Sequence, residues 1–423
     1  MIRLFFVAAA LTALFSSASA QQLAFPGAQG FGKYASGGRG GAIYHVTNLN
    51  DSGAGSFRDA VSAPNRTVVF DVGGVIKINS RIQVSSDITI AGQTAPGEGI
   101  AIYGHGLSFS RQKNVIVRYL RLRGSIGMAR GSCTLTADDA ENMIFDHVSV
   151  QWGRWDNLHI QNSKNITLQY CIIGEAIDPQ RFGALLERPE KLTIHHSLWI
   201  DNQSRNPKAK AGIEYVNNVV YNWGKSGFVG GHSSAHHRQD IINNYFIAGP
   251  GSSEGFIAMF SATDHVYHSG NKVDLNKDGI LNGRVVTDED FIKQKATLES
   301  ARQNVSMTAG EIQSADEAFN VVLRTAGASL KRDAVDKRLI AYLSSLGKKG
   351  EIFHKEEDAG GQLSLTGGKA RKDTDQDGIP DTWEKKNRLN QRDKDGLTLR
   401  SDGYSNLEHY LNSLVPQNDR SQL

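Results

Sequence analysis

The sequence predicts an all-β solenoid in which parallel strands stack coil upon coil, closed at one end by a short helix and followed by a helical extension. Three observations predict it. Nine-residue segments rich in β-branched and aromatic residues recur as NVIVRYLRL (from Asn114), NMIFDHVSV (Asn142), NITLQYCII (Asn165), KLTIHHSLW (Lys191), GIEYVNNVV (Gly212) and RQDIINNYF (Arg238). Their composition and partial period-two alternation are those of strands. Their starts lie 28, 23, 26, 21 and 26 residues apart, and a period in the twenties with one strong strand per repeat is a solenoid spacing. Aligned, they also form columns: Tyr119, His147, Tyr170, His196, Asn217, Asn243 in one, and Leu120, Val148, Cys171, Ser197, Asn218, Asn244 in the next. Asparagines in register hydrogen-bond along a stack, so His147, His195 and His196 read as ladder members.

Residues 1–20, MIRLFFVAAALTALFSSASA, form a secretory signal, with Arg3, an apolar run too short to span a bilayer, and Ala18-Ser19-Ala20 as the cleavage site. The mature chain is expected to begin at Gln21, secreted or periplasmic, and no later segment is apolar for eighteen residues.

The solenoid is expected over residues 21–285. GKYASGGRGGAIYHV lacks the Lys-Ser pattern of a phosphate loop and reads as tight coils. GSFRDAVSA, with Ser56 as N-cap, reads as a short amphipathic helix that plugs the open end. RTVVFDVGGVIKI (Arg66) and DITIAGQTAPGEGIAIYG (Asp87) read as further coils. Residues 286–356 turn helical, chiefly at 286–302 and 309–346, and are expected to pack on the solenoid. A polar linker, 357–372, leads to a tail at 373–423.

The tail opens with DTDQDGIPDTWE, which fits a twelve-residue calcium loop. Asp373, Asp375, Asp377, Asp381 and Glu384 fall at positions 1, 3, 5, 9 and 12, and Gly378 at position 6. Converging carboxylates repel one another unless a cation sits between them, so a structural calcium is expected here. SDGYSNLEHY (Ser401) is a degenerate partner, and DLNKDGILN (Asp274) copies only the first half of such a loop.

Composition narrows the partners. The 423 residues carry a formal net charge of +3, so a polyanion must be held by a local basic cluster, and binding of nucleic acid through a whole basic face is not indicated. Two cysteines, Cys133 and Cys171, make no disulfide framework, although one bridge remains open. A monomer is expected.

One such cluster stands out. DNQSRNPKAKAG places Arg205, Lys208 and Lys210 in a short turn between two strand-like runs. Together, FPGAQGFGKYASGGRGGAIYHVTNLNDSGAGSFRDAV, TIAGQTAPGEGI, NMIFDHVSVQW, LTIHHSLWIDNQSRNPK and VNNVVYNW resemble the secreted pectate lyases, whose fold is a right-handed parallel β-helix, and the helices and Asp-rich tail look like bacterial members. The resemblance covers nearly all of the mature chain. It implies β-elimination on an acidic polysaccharide such as polygalacturonate: a base removes the proton beside the uronate carboxylate, and the 4-linked oxygen leaves. That chemistry needs fixed cations for the developing charge.

By the same resemblance Arg205 falls on the family's catalytic arginine, with Lys208 and Lys210 where relatives often carry arginine. A lysine gives up its proton more readily, so Lys210 is an alternative base. Arg181 falls where the family binds the substrate carboxylate. The family's calcium-binding acids are depleted, since Gly131 and Cys133 stand near the first pair and Asp156 is the one firm candidate in the second cluster, with Asp138 and Asp139 nearby. Arg154 and Trp155 lie in that stretch, as in calcium-free pectin lyases, and are expected to bind sugar beside Asp156; Trp152 fits either stacking on sugar or core packing. The alternatives are a lyase for another uronate polymer such as alginate, a β-helix glycoside hydrolase using carboxylates among Asp156, Asp178, Glu187 and Asp201, and a non-catalytic carbohydrate binder.

Overall fold

The computed structural model describes residues 21–416; the expected signal segment lies outside them. Among these residues the chain coils through three sheets of eleven, ten and eight strands, and successive coils place a strand in each. Within these sheets pairing is parallel except where Lys272–Asp274 meets Arg284–Val285. This is the parallel β-helix expected, in the register read from the repeats.

Column chemistry explains the register. In the eleven-stranded sheet Val115, Met143, Ile166, Leu192 and Ile213 follow one another, as do Val117, Phe145, Leu168, Ile194 and Tyr215. All ten are buried in the interior of the coil. Full burial of such a side chain contributes about 1.5–3 kcal/mol, and a one-residue slip would turn a whole row to the outside. At the corner beyond this sheet Tyr119, His147, Tyr170, His196, Asn217 and Asn243 all take positive φ, from 48° to 55°. The rings stack: Tyr119 on His147 at 4.5 Å, His147 on Tyr170 at 4.9 Å, Tyr170 on His196 at 5.2 Å. Inside the corner the amides of Asn218, Asn244 and Asn271 hydrogen-bond in series at 3.1 and 2.9 Å.

The glycine-rich N-terminal segment lies flat on the outer face of the eleven-stranded sheet. Gly32 N–H donates to Thr167 Oγ1 at 2.8 Å, and a Cβ on Gly32 would sit 2.1 Å from the Met143 carbonyl oxygen. Close approach to the sheet, not a phosphate, explains these glycines. Helix α1 (Phe57–Ala60) forms as expected, its N-cap Ser56 accepting from Asp59 N–H, with Phe57 stacked on Phe70 at 6.0 Å.

In the C-terminal region α2 (Asp288–Lys293), α3 (Ala315–Thr325) and α4 (Ala334–Ser344) are shorter than the helical stretches expected from sequence. Thr297–Leu298 instead extends the eleven-stranded sheet beside Val266. Phe319 and Val322 of α3 and Leu339 and Leu343 of α4 cover Ile172, Leu198, Val219 and Tyr245 on the outer face of the ten-stranded sheet. In the Asp274 loop, the side chains of Asp274, Asn276 and Asp278 accept the N–H groups of Asn276, Asp278 and Ile280, so this half-loop is a run of turns. The tail ends in α5 (Asp381–Lys386) and α6 (Asn406–Ser413), with Leu407 and Leu411 packed against Val69 and Ala91. Among the described residues no helix is long and apolar enough to cross a membrane.

Candidate active site and metal loop

The eight-stranded sheet is left open to solvent, and it carries the basic turn. Its strands Leu135–Asp138, Asp156–Gln161, Phe182–Glu187 and Lys208–Lys210 pair in succession. The column Ala137, Ile160, Leu186, Ala209 points inward and is fully buried. Side chains alternate along a strand, so the residues flanking Ala209, Lys208 and Lys210, must point outward. The outward rows are then Thr136, His159, Leu185, Lys208 and, beside it, Asp138, Gln161, Glu187, Lys210.

Arg205 enters from the turn before the last of these strands, at φ 59°. Its guanidinium lies 4.2 Å from the Phe182 ring centroid and donates through Nη1 to Asp156 Oδ2 at 3.1 Å and Oδ1 at 3.3 Å. The turn is clamped from below: Ala184 N–H donates to the Arg205 carbonyl at 2.8 Å, and a Cβ on Gly183 would lie 2.4 Å from that oxygen. Asn202 Nδ2 donates to Asn206 Oδ1 at 2.9 Å, fixing the next residue.

Charge is distributed unevenly over the groove. Lys210 Nζ lies 3.1 Å from Glu187 Oε1. Among the described residues Lys208 has no such carboxylate partner within 4 Å; its pKa is lowered by partial burial first, then by the charges of Arg205 and Lys210. Burial pushes the Asp156 carboxyl up to about 6 against the pull of Arg205. Burial alone would lower His159, but its 2.8 Å contact with Asp138 and the charges of Asp138, Asp156 and Glu187 raise it overall.

The expected sugar-binding residues divide. Trp155 lines the cleft with Asp156, His159 and Asp138, and Arg181 lines the adjoining cleft with Phe182, Arg205 and Lys208. Arg181 Nε lies 3.3 Å from Asp178 Oδ1. Arg154 is not brought to the groove as expected: its guanidinium donates to the carbonyls of Met128 at 2.8 Å and Asp178 at 3.2 Å, tying two loops together. Trp152 is core, its indole N–H donating to Glu175 Oε2 at 3.1 Å. Cys133 and Cys171 are free thiols, both buried.

In the tail, Asp373, Asp375 and Asp377 converge, and Asp377 also converges with Glu384 and Asp395. Both carboxylate oxygens of Asp375 and of Glu384, with Asp377 Oδ2 and Asp395 Oδ1, are buried without a hydrogen-bond partner. Burial and then the neighbouring carboxylates push Glu384 up to about 7; Asp377 is pushed up to about 6, again chiefly by burial. Asp381, expected among the ligands, is instead taken by Thr374 N–H at 2.8 Å, Thr374 Oγ1 at 2.9 Å and Lys372 Nζ at 2.7 Å. Asp395, outside the twelve-residue loop, completes the set. The groove carboxylates differ: Asp138, Asp156 and Glu187 each face a cationic or imidazole partner, and they are not among the groups that converge.

No protein-family model matches the chain. It is 45% identical over 406 residues, 96% of this chain and 96% of the relative, to a probable pectate lyase C of Neosartorya fischeri. The chain belongs to the pectate lyase family. A probable pectate lyase C of Aspergillus flavus is 43% identical over 396 residues, covering 93% of this chain and 94% of the relative. Two solved structures share the fold: a thermostable pectate lyase (TM-score 0.54, 13% identity, 74% of this chain and 99% of that one) and a pectate lyase bound to a hexasaccharide (0.52, 12%, 73% and 98%). As a pectate lyase family member the chain is a polysaccharide lyase, and the readings as hydrolase or inert binder fall away. Sequence reasoning about the groove missed His159 and its contact with Asp138. The signal was the alternation in DNLHIQ, which puts His159 and Gln161 on the same face as the two lysines.

Proposed function

We propose that the open face of the eight-stranded sheet cleaves polygalacturonate or pectin by β-elimination, leaving an unsaturated uronide. The observation that carries this reading is the group of cations: Lys208 and Lys210 aimed outward by the buried Ala209 between them, Arg205 held beside them by Asp156, and Arg181 in the same cleft as Arg205 and Lys208. A uronate carboxylate held by these charges makes the adjacent ring proton acidic, and preorganised cations stabilise the enolate-like charge as it forms. Arg205 meets the ring proton. A guanidinium holds its protons tightly, and Asp156, lifted to about 6, is placed to accept one through Nη1 as the ring proton arrives. Lys208 and Lys210 hold the carboxylate, and Trp155 offers a ring face to a neighbouring sugar.

A second reading gives the proton to Lys208, because burial and two neighbouring cations favour its neutral amine. Lys210, ion-paired with Glu187, suits this role less well than sequence alone suggested.

Calcium is assigned to the tail. Asp373, Asp375, Asp377, Glu384 and Asp395 would hold it, and the unpartnered buried oxygens support the fit. There it would supply structural cross-linking and no chemistry. No step in the groove is routed through a metal. The signal-like residues 1–20 support secretion and action outside the cytoplasm.

The test is a panel of polygalacturonate, methylated pectin and alginate, each with and without chelator, read by ultraviolet absorbance of the new double bond. Unsaturated product from the galacturonate polymers supports the reading. Product from alginate alone would replace the substrate, and saturated product would replace the reaction.

A further inference from the structure

Away from the eight-stranded sheet, a second cleft opens between the turn at 92–99, the stretch 328–331 that joins α3 to α4, and the linker at 368–371. At its wall, Gln93 is 7% exposed, yet neither its amide oxygen nor its amide nitrogen has a hydrogen-bond partner. A buried primary amide left unmatched carries the full desolvation penalty of its oxygen and nitrogen, so this one calls for a polar occupant. The surroundings indicate its charge. Lys331, Lys369 and Arg371 line the cleft, and among the described residues none has a carboxylate within 4 Å. Among the described residues Arg371 donates to the Tyr410 hydroxyl, at 2.7 Å. Arg121, deeper in, is offset by Asp333 and Asp336. Among the described residues the acid on the wall is Glu98, which is engaged by Thr366 N–H at 2.6 Å, and Glu98 N–H returns a bond to the Thr366 carbonyl. That pair pins the linker, which carries Lys369 and Arg371 to the rim.

We infer that this cleft is a second binding site for a carboxylated sugar, separate from the catalytic groove. The amide can donate to one hydroxyl and accept from another, and the lysines can take the carboxylate in charge-assisted hydrogen bonds. A uronate presents these groups on one ring. The choice of galacturonate as probe rests on the proposed substrate; the site itself rests on the residues named.

The experiment uses the full chain in an Arg181→Ala/Arg205→Ala/Lys208→Ala/Lys210→Ala background, which removes the cation group of the groove, and titrates trigalacturonate by calorimetry. The background is expected to retain one binding event. Adding Lys331→Ala and Lys369→Ala, both at the rim, should weaken it about tenfold or more, the loss of charge-assisted contacts. Gln93→Leu should weaken it too, with melting temperature reporting whether the fold is intact. Maltotriose, uncharged, should not bind. Unchanged trigalacturonate affinity in the lysine variant, or equal affinity for maltotriose, would overturn the site. Failure of the groove reading looks different: Arg205→Ala alone would remain active on polygalacturonate whatever Lys331 and Lys369 do.

Discussion

Arg205 and Asp156 form an ion pair at 3.1 Å in which the aspartate side chain is 1% exposed and the arginine side chain 20%. The buried partner holds the accessible one at the sheet surface, so the position of the arginine is set from below. Asp156→Asn keeps the shape and removes the charge. The expected outcome is a fall in kcat of about 10²-fold, typical of losing a proton-transfer partner, with a smaller change in KM. Steady-state kinetics on polygalacturonate check it.

Gly183→Ala tests the same placement from the backbone. The added Cβ would press on the Arg205 carbonyl, 2.4 Å away, and on Asn206 Oδ1 at 3.0 Å. Moving a reacting group by about 1 Å costs up to about 10²-fold in rate. A drop in kcat larger than any drop in melting temperature is expected.

His159 gives a pH signature. Its folded pKa is raised, so its contribution to stability is fully present below the unfolded value of 6.5 and is lost as pH rises through the folded pKa. The stability difference between the wild type and His159→Gln should be largest below pH 6.5 and shrink in alkaline buffer. Urea unfolding across that range measures it, and a difference that grows with pH would remove Asp138 as the cause.

The tail should behave as a metal-dependent clamp. Calcium at a hundred times its Kd would add about 2.7 kcal/mol, read as a rise in melting temperature that a chelator reverses. Glu384→Gln and Asp395→Asn should each diminish the rise. Asp381→Asn should leave it largely in place, since Asp381 is bound to Thr374 and Lys372.

Asn244 tests the corner ladder. It accepts from Asn218 N–H at 2.8 Å and donates to the Tyr215 carbonyl and Asn271 Oδ1, both at 2.9 Å. Asn244→Ala strands buried partners on three sides at about 1–3 kcal/mol each. A loss of about 3 kcal/mol or more in chemical denaturation is expected, with activity per folded molecule retained.

Much of this was legible in the sequence, for a physical reason. A solenoid repeats the same packing problem in each coil, so columns such as Val115 to Ile213 and Tyr119 to Asn243 are visible once the repeats are aligned. The basic cluster was visible as three cations close in sequence, but it reads there as one turn; Lys208–Lys210 is a strand, and alternation about the buried Ala209 fixes the direction of its two lysines. What escaped depends on direction at bends and on chain returns. Arg154 and Trp155 are neighbours, yet only the second faces the cleft, and no periodicity operates at the corner between them. Asp381 matched a loop position, but at the first turn of α5 nearby donors claimed it. Asp395 reaches the cluster only because the chain folds back after α5.

The most direct test of the central claim is the rate at which folded Arg205→Ala forms unsaturated uronide from polygalacturonate, compared with the wild type. The proposed role requires a loss of at least about 10²-fold with circular dichroism and melting temperature preserved. A near-wild-type rate from the folded variant would contradict it and remove Arg205 from the reaction.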